Sequence, residues 1–453
     1  MPFDSFVDKS FLTSICEEYQ KHAEIPAKAF QHTNVKRGLR NADGTGVVAG
    51  VTKICNVHGY LMYEGDKVPD DGVLTYRGYN VVDLVNACEK EDRFGFEEVA
   101  FLLLFGFLPT AEQLQQFSAM LDRCRELPQN FTEDMIIKAP SRNIMNKLGR
   151  SVLALYSYDH NPDDTTLLGL MERCILLIAR FPTIVAHAYQ VKKHFYDHKS
   201  MHIHFPKEGL HTAENILRTI RPDKQFTHHE AKLLDTALML HAEHGGGNNS
   251  TFTARVVAST GTDVYSAVAA AVGSLKGPKH GGANIKVVEM VNDFRNHVQN
   301  YEDQDEVAAH IRKVLNKEAG DGSGLIYGMG HAIYTNSDPR AVTLKRCARD
   351  LAEEKGMLYD FALLENIEAL TPQVFREVTG HDKTMCANVD LYSGFVYEML
   401  GIPSEIYTPL FAVARIAGWS AHIMEEFTQS KRLIRPAYRA SNQNSEYVPI
   451  AQR

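Results

Sequence analysis

The sequence predicts a mainly α-helical protein with a small antiparallel β ribbon near its N-terminus. Two observations carry this. Apolar residues recur at helical spacing through much of the chain, and β-branched or alternating residues concentrate between Val47 and Tyr79. No tandem repeat or low-complexity tract interrupts the pattern.

The elements follow in order. The Val47–Tyr79 stretch is punctuated by Gly59, Gly65, Pro69 and Gly72, as a ribbon requires. Phe96 to Leu104 mixes apolar and acidic residues in helical order and stops near Gly106 and Pro109. Thr110 then opens a helix, with Gln113 at capping-box spacing. Thr165 to Val191 reads as one or two helices, broken around Pro182. His229 to His244 is another, with Leu233, Leu234, Ala237 and Leu240 on one face. Ile285, Val288, Val291, Phe294 and Val298 mark a helix beginning after Gly282. Ile406 to Ile423 is the most apolar long run. It contains Arg415, Ser420 and His422, so it predicts a buried helix and not a membrane span, with Thr408 and Pro409 as N-cap and first helical residue.

The bulk numbers bound the function. At 453 residues the chain can hold more than one domain. Its 48 basic and 56 acidic residues leave a formal charge of −8, which argues against nucleic acid as the main partner. A locally positive pocket for a small anion remains compatible with that balance. The seven cysteines are scattered and never spaced C-x-x-C, which predicts reduced thiols. Asp4, Asp8, Glu17 and Glu18 make the N-terminus unlike a secretory or mitochondrial leader, so a cytoplasmic protein is expected. The tail after Pro436, with Asn442, Gln443 and Asn444, is polar and reads as flexible.

Five segments could carry chemistry. HAEHGGGNNSTFTAR begins at His241, with His244 on the same helix face before three glycines; it equally suits a plain glycine-capped helix end. KGPKHGGAN places His280 just before a helix N-terminus, where the dipole disfavours an imidazolium and a neutral ring can donate to a carbonyl; a turn histidine is the plain alternative. LIYGMGHAIYTNSDPRAV sets His331 between glycines and ahead of Arg340, a combination suited to an anion bearing a carbonyl or to an ordinary loop turning at Asp338-Pro339. ANVDLYSGFVYEMLGIP opens a helix near Asp390, which reads as an N-cap or as a carboxylate base. Arg415 has no acid within one turn, so a substrate carboxylate or an acid elsewhere in the fold must meet it. His194, His198, His202, His204 and His211 crowd a polar stretch that reads as a surface loop and not as a metal site.

Taken in this order, LHAEHGGGNNST, GPKHGGAN, GMGHAIYTNSDPRA, NVDLYSGFVYEMLGIP and FAVARIAGW with IRP resemble the citrate synthase family, over roughly Gly46 to Pro436. The resemblance implies a large helical domain, 1–281 with 400–453, and a small helical domain, 282–399, that closes over the site. It implies a homodimer, with a hexamer of dimers also compatible, and no metal or other cofactor beyond acetyl-CoA as substrate. No nucleic acid or membrane partner is expected.

Carried over by position, Asp390, His280 and His331 are the catalytic residues of a condensation between acetyl-CoA and oxaloacetate. His244, His331, Arg340 and Arg415 bind oxaloacetate, and Arg435 reaches the neighbouring subunit's site. Leu325, Ile326, Gly328, Gly330 and Asn388 lie along coenzyme A. Two positions depart from many relatives: Gly245 stands where a glutamate often follows the His244 position, and Thr335 where a basic residue often stands near the coenzyme phosphates, with Lys345 or another basic residue as a substitute. The same residues suit 2-methylcitrate synthesis from propionyl-CoA, because one methylene alters only pocket shape, by about 1–3 kcal/mol. A non-catalytic acyl-CoA or carboxylate-binding protein is the remaining alternative.

Overall fold

A computed structural model describes residues 9–23, 25, 30, 35–430, 432–441 and 445–452. Asp4, Asp8 and Asn442 to Asn444 lie outside the described residues. The chain divides into two compact units, Met1–Ala49 with Arg435–Arg453, and Gly50–Ile434. The first contains helix α1 (Lys9–Ala23), a short 3-10 turn at Arg37–Leu39 and an isolated bridge between Arg40 and Gly46.

The second unit opens with the expected ribbon. Strands β1 (Cys55–Tyr63) and β2 (Asp66–Tyr76) pair antiparallel, with a register shift between His58 and Tyr60, and β3 (Tyr79–Asn80) adds a short third strand. Helices follow: α2 (Val81–Lys90), α3 (Phe96–Phe105), α4 (Ala111–Cys124), α5 (Ile144–Leu155), α6 (Leu167–Asp197), α7 (Thr212–Ile220), α8 (His228–His241), α9 (Asn249–Ala258) and α10 (Val264–Leu275). Next come α11 (Ala283–His297), α12 (Gln304–Leu315), α13 (Pro339–Glu354), α14 (Leu358–Thr379), α15 (Val389–Met399) and α16 (Tyr407–Gln429). The expectation of a mostly helical protein with one small sheet holds.

Several local expectations hold for their stated reasons. Gly106, in the left-handed region, ends α3. Thr110 and Gln113 form a capping box at α4. Others need correction. Pro182 does not break α6, which runs unbroken for 31 residues. The proline removes one backbone donor, but α6 is buried from Phe181 to Val191, and that packing outweighs the loss. Helix α8 stops at His241, before His244. Helix α11 buries Val287, Met290, Val291 and Phe294, a face rotated away from Ile285. Helix α15 is capped by Asn388, whose side chain accepts from the Asp390 N–H, so Asp390 is not the N-cap. Helix α16 begins at Tyr407, because a 3-10 turn at Ser404–Ile406 leads into it.

Helix α16 is the axis of the core. Arg415, Trp419, Ser420 and His422 are all 0% exposed on it. Among the described residues no helix is long and apolar enough to cross a membrane. All seven cysteines are free thiols. Cys16 is exposed, Cys55, Cys124 and Cys347 are intermediate, and Cys88, Cys174 and Cys386 are buried.

Candidate active site

A cavity of about 160 Å³ gathers His244, His280, His331, Arg340, Asn388, Asp390 and Arg415 from separate stretches of the chain. His241, Asn284, Tyr397, Tyr407, Thr408 and Phe411 complete much of its wall. Leu325, Ile326, Gly328 and Gly330 do not line it, and Arg435 is exposed in the other compact unit.

His280 sits in the turn between α10 and α11. Its N–H donates to Gly277 O at 2.9 Å, and Thr408 Oγ1 ties the next carbonyl, Gly281 O, to α16 at 2.8 Å. His280 Nε2 faces the Ser250 N–H at 3.4 Å and the Ser250 hydroxyl at 2.9 Å. A backbone N–H can only donate, so Nε2 is the acceptor and the proton of the neutral ring lies on Nδ1. Trp419 Nε1 donates to Ser250 Oγ at 3.1 Å and fixes the hydroxyl. Burial, then the charge of Arg415, lowers His280 to about 4. The neutral ring expected from the sequence is therefore present, with burial and the charge of Arg415 among its causes.

His331 has the opposite tautomer. Its Nδ1 accepts from the N–H groups of Ile333 at 3.1 Å and Tyr334 at 3.2 Å, leaving Nε2 to carry the proton. The two imidazoles thus present different donor atoms. The His331 loop is anchored to the ribbon. Thr335 Oγ1 donates to Gly59 O and accepts from Asp70 N at 3.0 Å, and Gly72 N donates to Ser337 Oγ at 3.1 Å. Thr335 is therefore an anchor between this loop and the ribbon.

Arg340 is gripped by Asp338, through Nε at 3.0 Å and Nη2 at 2.7 Å. Asp338 is 0% exposed and caps α13, with Pro339 in the first turn. Sequence reasoning took Asp338-Pro339 only as a turn and missed this carboxylate. A charged pair at a cap was the available signal.

His244 lies in the turn after α8, its Nε2 3.2 Å from the Tyr334 hydroxyl and its ring 5.2 Å from that of His331, edge to face. Gly245 turns the chain at φ +88°, a conformation that costs an L-residue about 1 kcal/mol or more. Burial, with Arg340, His331 and Arg415 nearby, holds His244 well below the usual histidine range. It too is a neutral donor or acceptor and not a cation.

Asp390 is half-buried at the cavity wall, and burial raises it to about 6 against the opposing pull of Arg340. A carboxylate raised this far is a stronger base while remaining ionised at neutral pH. The segment before it is tied to the glycine loop. Asn388 N donates to Gly328 O at 2.8 Å, Asn388 Nδ2 to Gly330 O at 2.9 Å, and Gly330 N to Cys386 O at 2.7 Å. Arg415 donates through Nε to His241 O at 2.8 Å, and its two terminal nitrogens are buried without a hydrogen-bond partner.

The histidine-rich loop holds no grouped metal ligands. Among the described residues the one such group is Asp293, His297 and His310, on α11 and α12, and none of the three lines the cavity. His310 Nε2 and His297 Nδ1 already meet Asp293 oxygens at 2.9 Å and 3.3 Å.

The chain is similar to known enzymes. Residues 40–437 match the family model described as citrate synthase, C-terminal domain. The chain is 36% identical over 422 residues to a citrate synthase of Acidithiobacillus ferridurans, covering 90% of this chain and 97% of that one. It is 33% identical to a 2-methylcitrate synthase of Shewanella oneidensis, covering 84% and 90%. A crystal structure of citrate synthase from Thermoplasma acidophilum, in ternary complex with carboxymethyl coenzyme A and oxaloacetate, superposes with a TM-score of 0.73 at 26% identity, over 92% of this chain and 99% of that one. With a matched region spanning most of its length and two imidazoles, a raised carboxylate and two arginines at one cavity, this chain belongs to the citrate synthase family.

Proposed function

We propose that the chain joins the methyl carbon of acetyl-CoA to the carbonyl carbon of oxaloacetate and hydrolyses the product thioester to citrate and coenzyme A. The observation that carries this is the convergence of Asp390, His280 and His331 on one cavity, beside the two unpartnered nitrogens of Arg415. Asp390 takes a proton from the methyl group. The enolate oxygen that forms accepts a hydrogen bond from His280 Nδ1–H, without which a carboxylate is too weak a base. The nucleophilic carbon attacks the oxaloacetate carbonyl, and His331 Nε2–H meets the developing alkoxide. Water then cleaves the thioester and the thiol leaves. Arg340, Arg415 and His244 hold the two carboxylates.

Residues 282–399 form a small domain that closes on the remainder and dries the site, strengthening these hydrogen bonds. Leu325 to Gly330, with Asn388, run along the coenzyme, and Lys345 meets its phosphates. Arg435 serves the site of a partner subunit in a cytoplasmic homodimer. No metal or further cofactor takes part. The similarity to a 2-methylcitrate synthase favours propionyl-CoA as a second acyl donor. Incubation with oxaloacetate and each acyl-CoA at equal concentration tests both readings. Thiol release is expected with acetyl-CoA, and none with either donor from folded protein refutes the assignment.

A further inference from the structure

Beneath the cavity lies a buried chain of hydrogen bonds that the proposed chemistry does not use. Glu243 and His422 are both 0% exposed, with Glu243 Oε1 2.9 Å from His422 Nε2. The same carboxylate oxygen accepts the Gly245 N–H at 2.6 Å. On the far side of the ring, Arg255 Nη1 donates to His422 Nδ1 at 2.8 Å. An arginine can only donate, so Nδ1 is the acceptor and the ring is neutral with its proton on Nε2, aimed at Glu243. Arg255 is itself held by Glu425 and Glu426, each at 2.9 Å. The chain therefore has one direction: Arg255 to His422 to Glu243, with the turn amide of Gly245 closing on the same oxygen.

The other end of Glu243 is unsatisfied. Its Oε2 is buried with no hydrogen-bond partner, as are Nη1 and Nη2 of Arg415. Glu243 is the main favourable charge acting on Arg415, opposing the penalty of its burial. Helix α16 makes room for the carboxylate at Gly418, where an added Cβ would overlap Glu243 Oε2 and approach Ala242 O. Gly418 lies between Arg415 and His422 on that helix, so α16 presents to Glu243 a cation, a gap and a donor within two turns.

We propose that Glu243, oriented by His422 and Arg255, is a positioning residue for the dicarboxylate: it fixes the turn that carries His244 and balances Arg415 without consuming the arginine's terminal donors. This rests on the assignment of that cavity to oxaloacetate. One oxygen of Glu243 is spent on the turn and the ring. The other supplies charge without a hydrogen bond, so the fork of Arg415 stays open for substrate. A direct ion pair, such as Asp338 makes with Nε and Nη2 of Arg340, would leave it fewer donors for substrate.

The test is steady-state thiol release by the full-length protein, varying oxaloacetate and acetyl-CoA separately, for wild type, His422→Phe and His422→Gln. His422→Phe removes the donor to Glu243 at similar volume. His422→Gln restores an N–H near the position of Nε2. For His422→Phe we expect the KM for oxaloacetate to rise about tenfold or more, kcat to fall less than about threefold, and the KM for acetyl-CoA to stay within about twofold, with His422→Gln recovering most of the change. A folded His422→Phe with unchanged KM for oxaloacetate overturns the proposal, as does a glutamine variant no better than phenylalanine. Should His422→Phe not fold, Gly418→Ala displaces Glu243 by direct overlap. The same selective rise is then expected, and an unchanged KM overturns the proposal. Inactive wild type refutes the enzyme assignment, and this inference falls with it.

Discussion

Arg415 donates through Nε to the carbonyl oxygen of His241, 2.8 Å away, and that bond orients a guanidinium whose two terminal nitrogens have no hydrogen-bond partner. Buried donors of this kind cost about 1–3 kcal/mol when unmade. Their persistence at a cavity identifies where an anion belongs. Arg415→Met should therefore raise the KM for oxaloacetate about 100-fold, and it should lower the melting temperature of the ligand-free protein, since Glu243 loses its balancing charge and the His241 carbonyl its donor. Oxaloacetate should raise the melting temperature of wild type and leave the variant's unchanged. Thermal shift with and without ligand measures both.

Asp390→Asn separates chemistry from stability. Activity should fall by about 10³-fold or more, because no base remains. Burial raises the Asp390 carboxyl to about 6, above its usual 3.8. The unfolded chain therefore loses this proton before the folded one does. Folded-state stability from this group is full below about pH 4 and lost as pH rises through about 6. At pH 8 the variant should be more stable than wild type by about 2–3 kcal/mol, and the gain should vanish below about pH 4. Urea denaturation at the two pH values checks the sign.

The pH profile of kcat/KM should show an acidic limb near 6, from protonation of Asp390, and none from His280, which is lowered to about 4 and already neutral there. His280→Ala should lose about 10²–10³-fold in kcat without moving the limb. A limb that moves with His280 substitution contradicts the division of labour.

His280 and His244 also make an acid-stability prediction. Both are held below the usual 6.5. As pH falls below about 6.5, the unfolded chain gains protons that the folded one refuses, so stability falls. Denaturation midpoints of wild type should drop between pH 7 and 5 more steeply than those of His280→Gln.

A mixing experiment tests the role of Arg435. Arg435→Ala and Asp390→Asn chains should each be inactive alone. Mixed and reassorted, each heterodimer regains one complete site, so about a quarter of wild-type activity should return. No recovery from verified heterodimers contradicts a shared arginine.

Much of this was legible in the sequence, and the misses have physical causes. The Thr110–Gln113 capping box and the glycine after α3 act within one helical turn, so they could be read locally. Pro182 misled because its effect on α6 is decided by burial on both sides, which distant helices supply. Asp390 read as a cap because its neighbour Asn388 holds that position, a one-turn ambiguity that pattern alone does not resolve. His280, His331, Arg340 and Arg415 stood out by their glycine or apolar surroundings. Asp338, Glu243 and Ser250 did not, because each acts through a contact with another side chain, whether Arg340, His422 or Trp419.

The buried thiols set the conditions for watching this chemistry. A colorimetric trap for released coenzyme also titrates any protein thiolate within reach. Burial pushes Cys88, Cys174 and Cys386 up to about 12 and drives Cys55 well above its ordinary value, so almost none is ionised at assay pH. Cys16 alone is exposed. Cys124 and Cys347 are half-buried and also raised by burial, so the blank should show one prompt equivalent per chain followed by a slow, small rise. A Cys16→Ser protein should remove that burst, so that the first turnover of the enzyme becomes countable against zero.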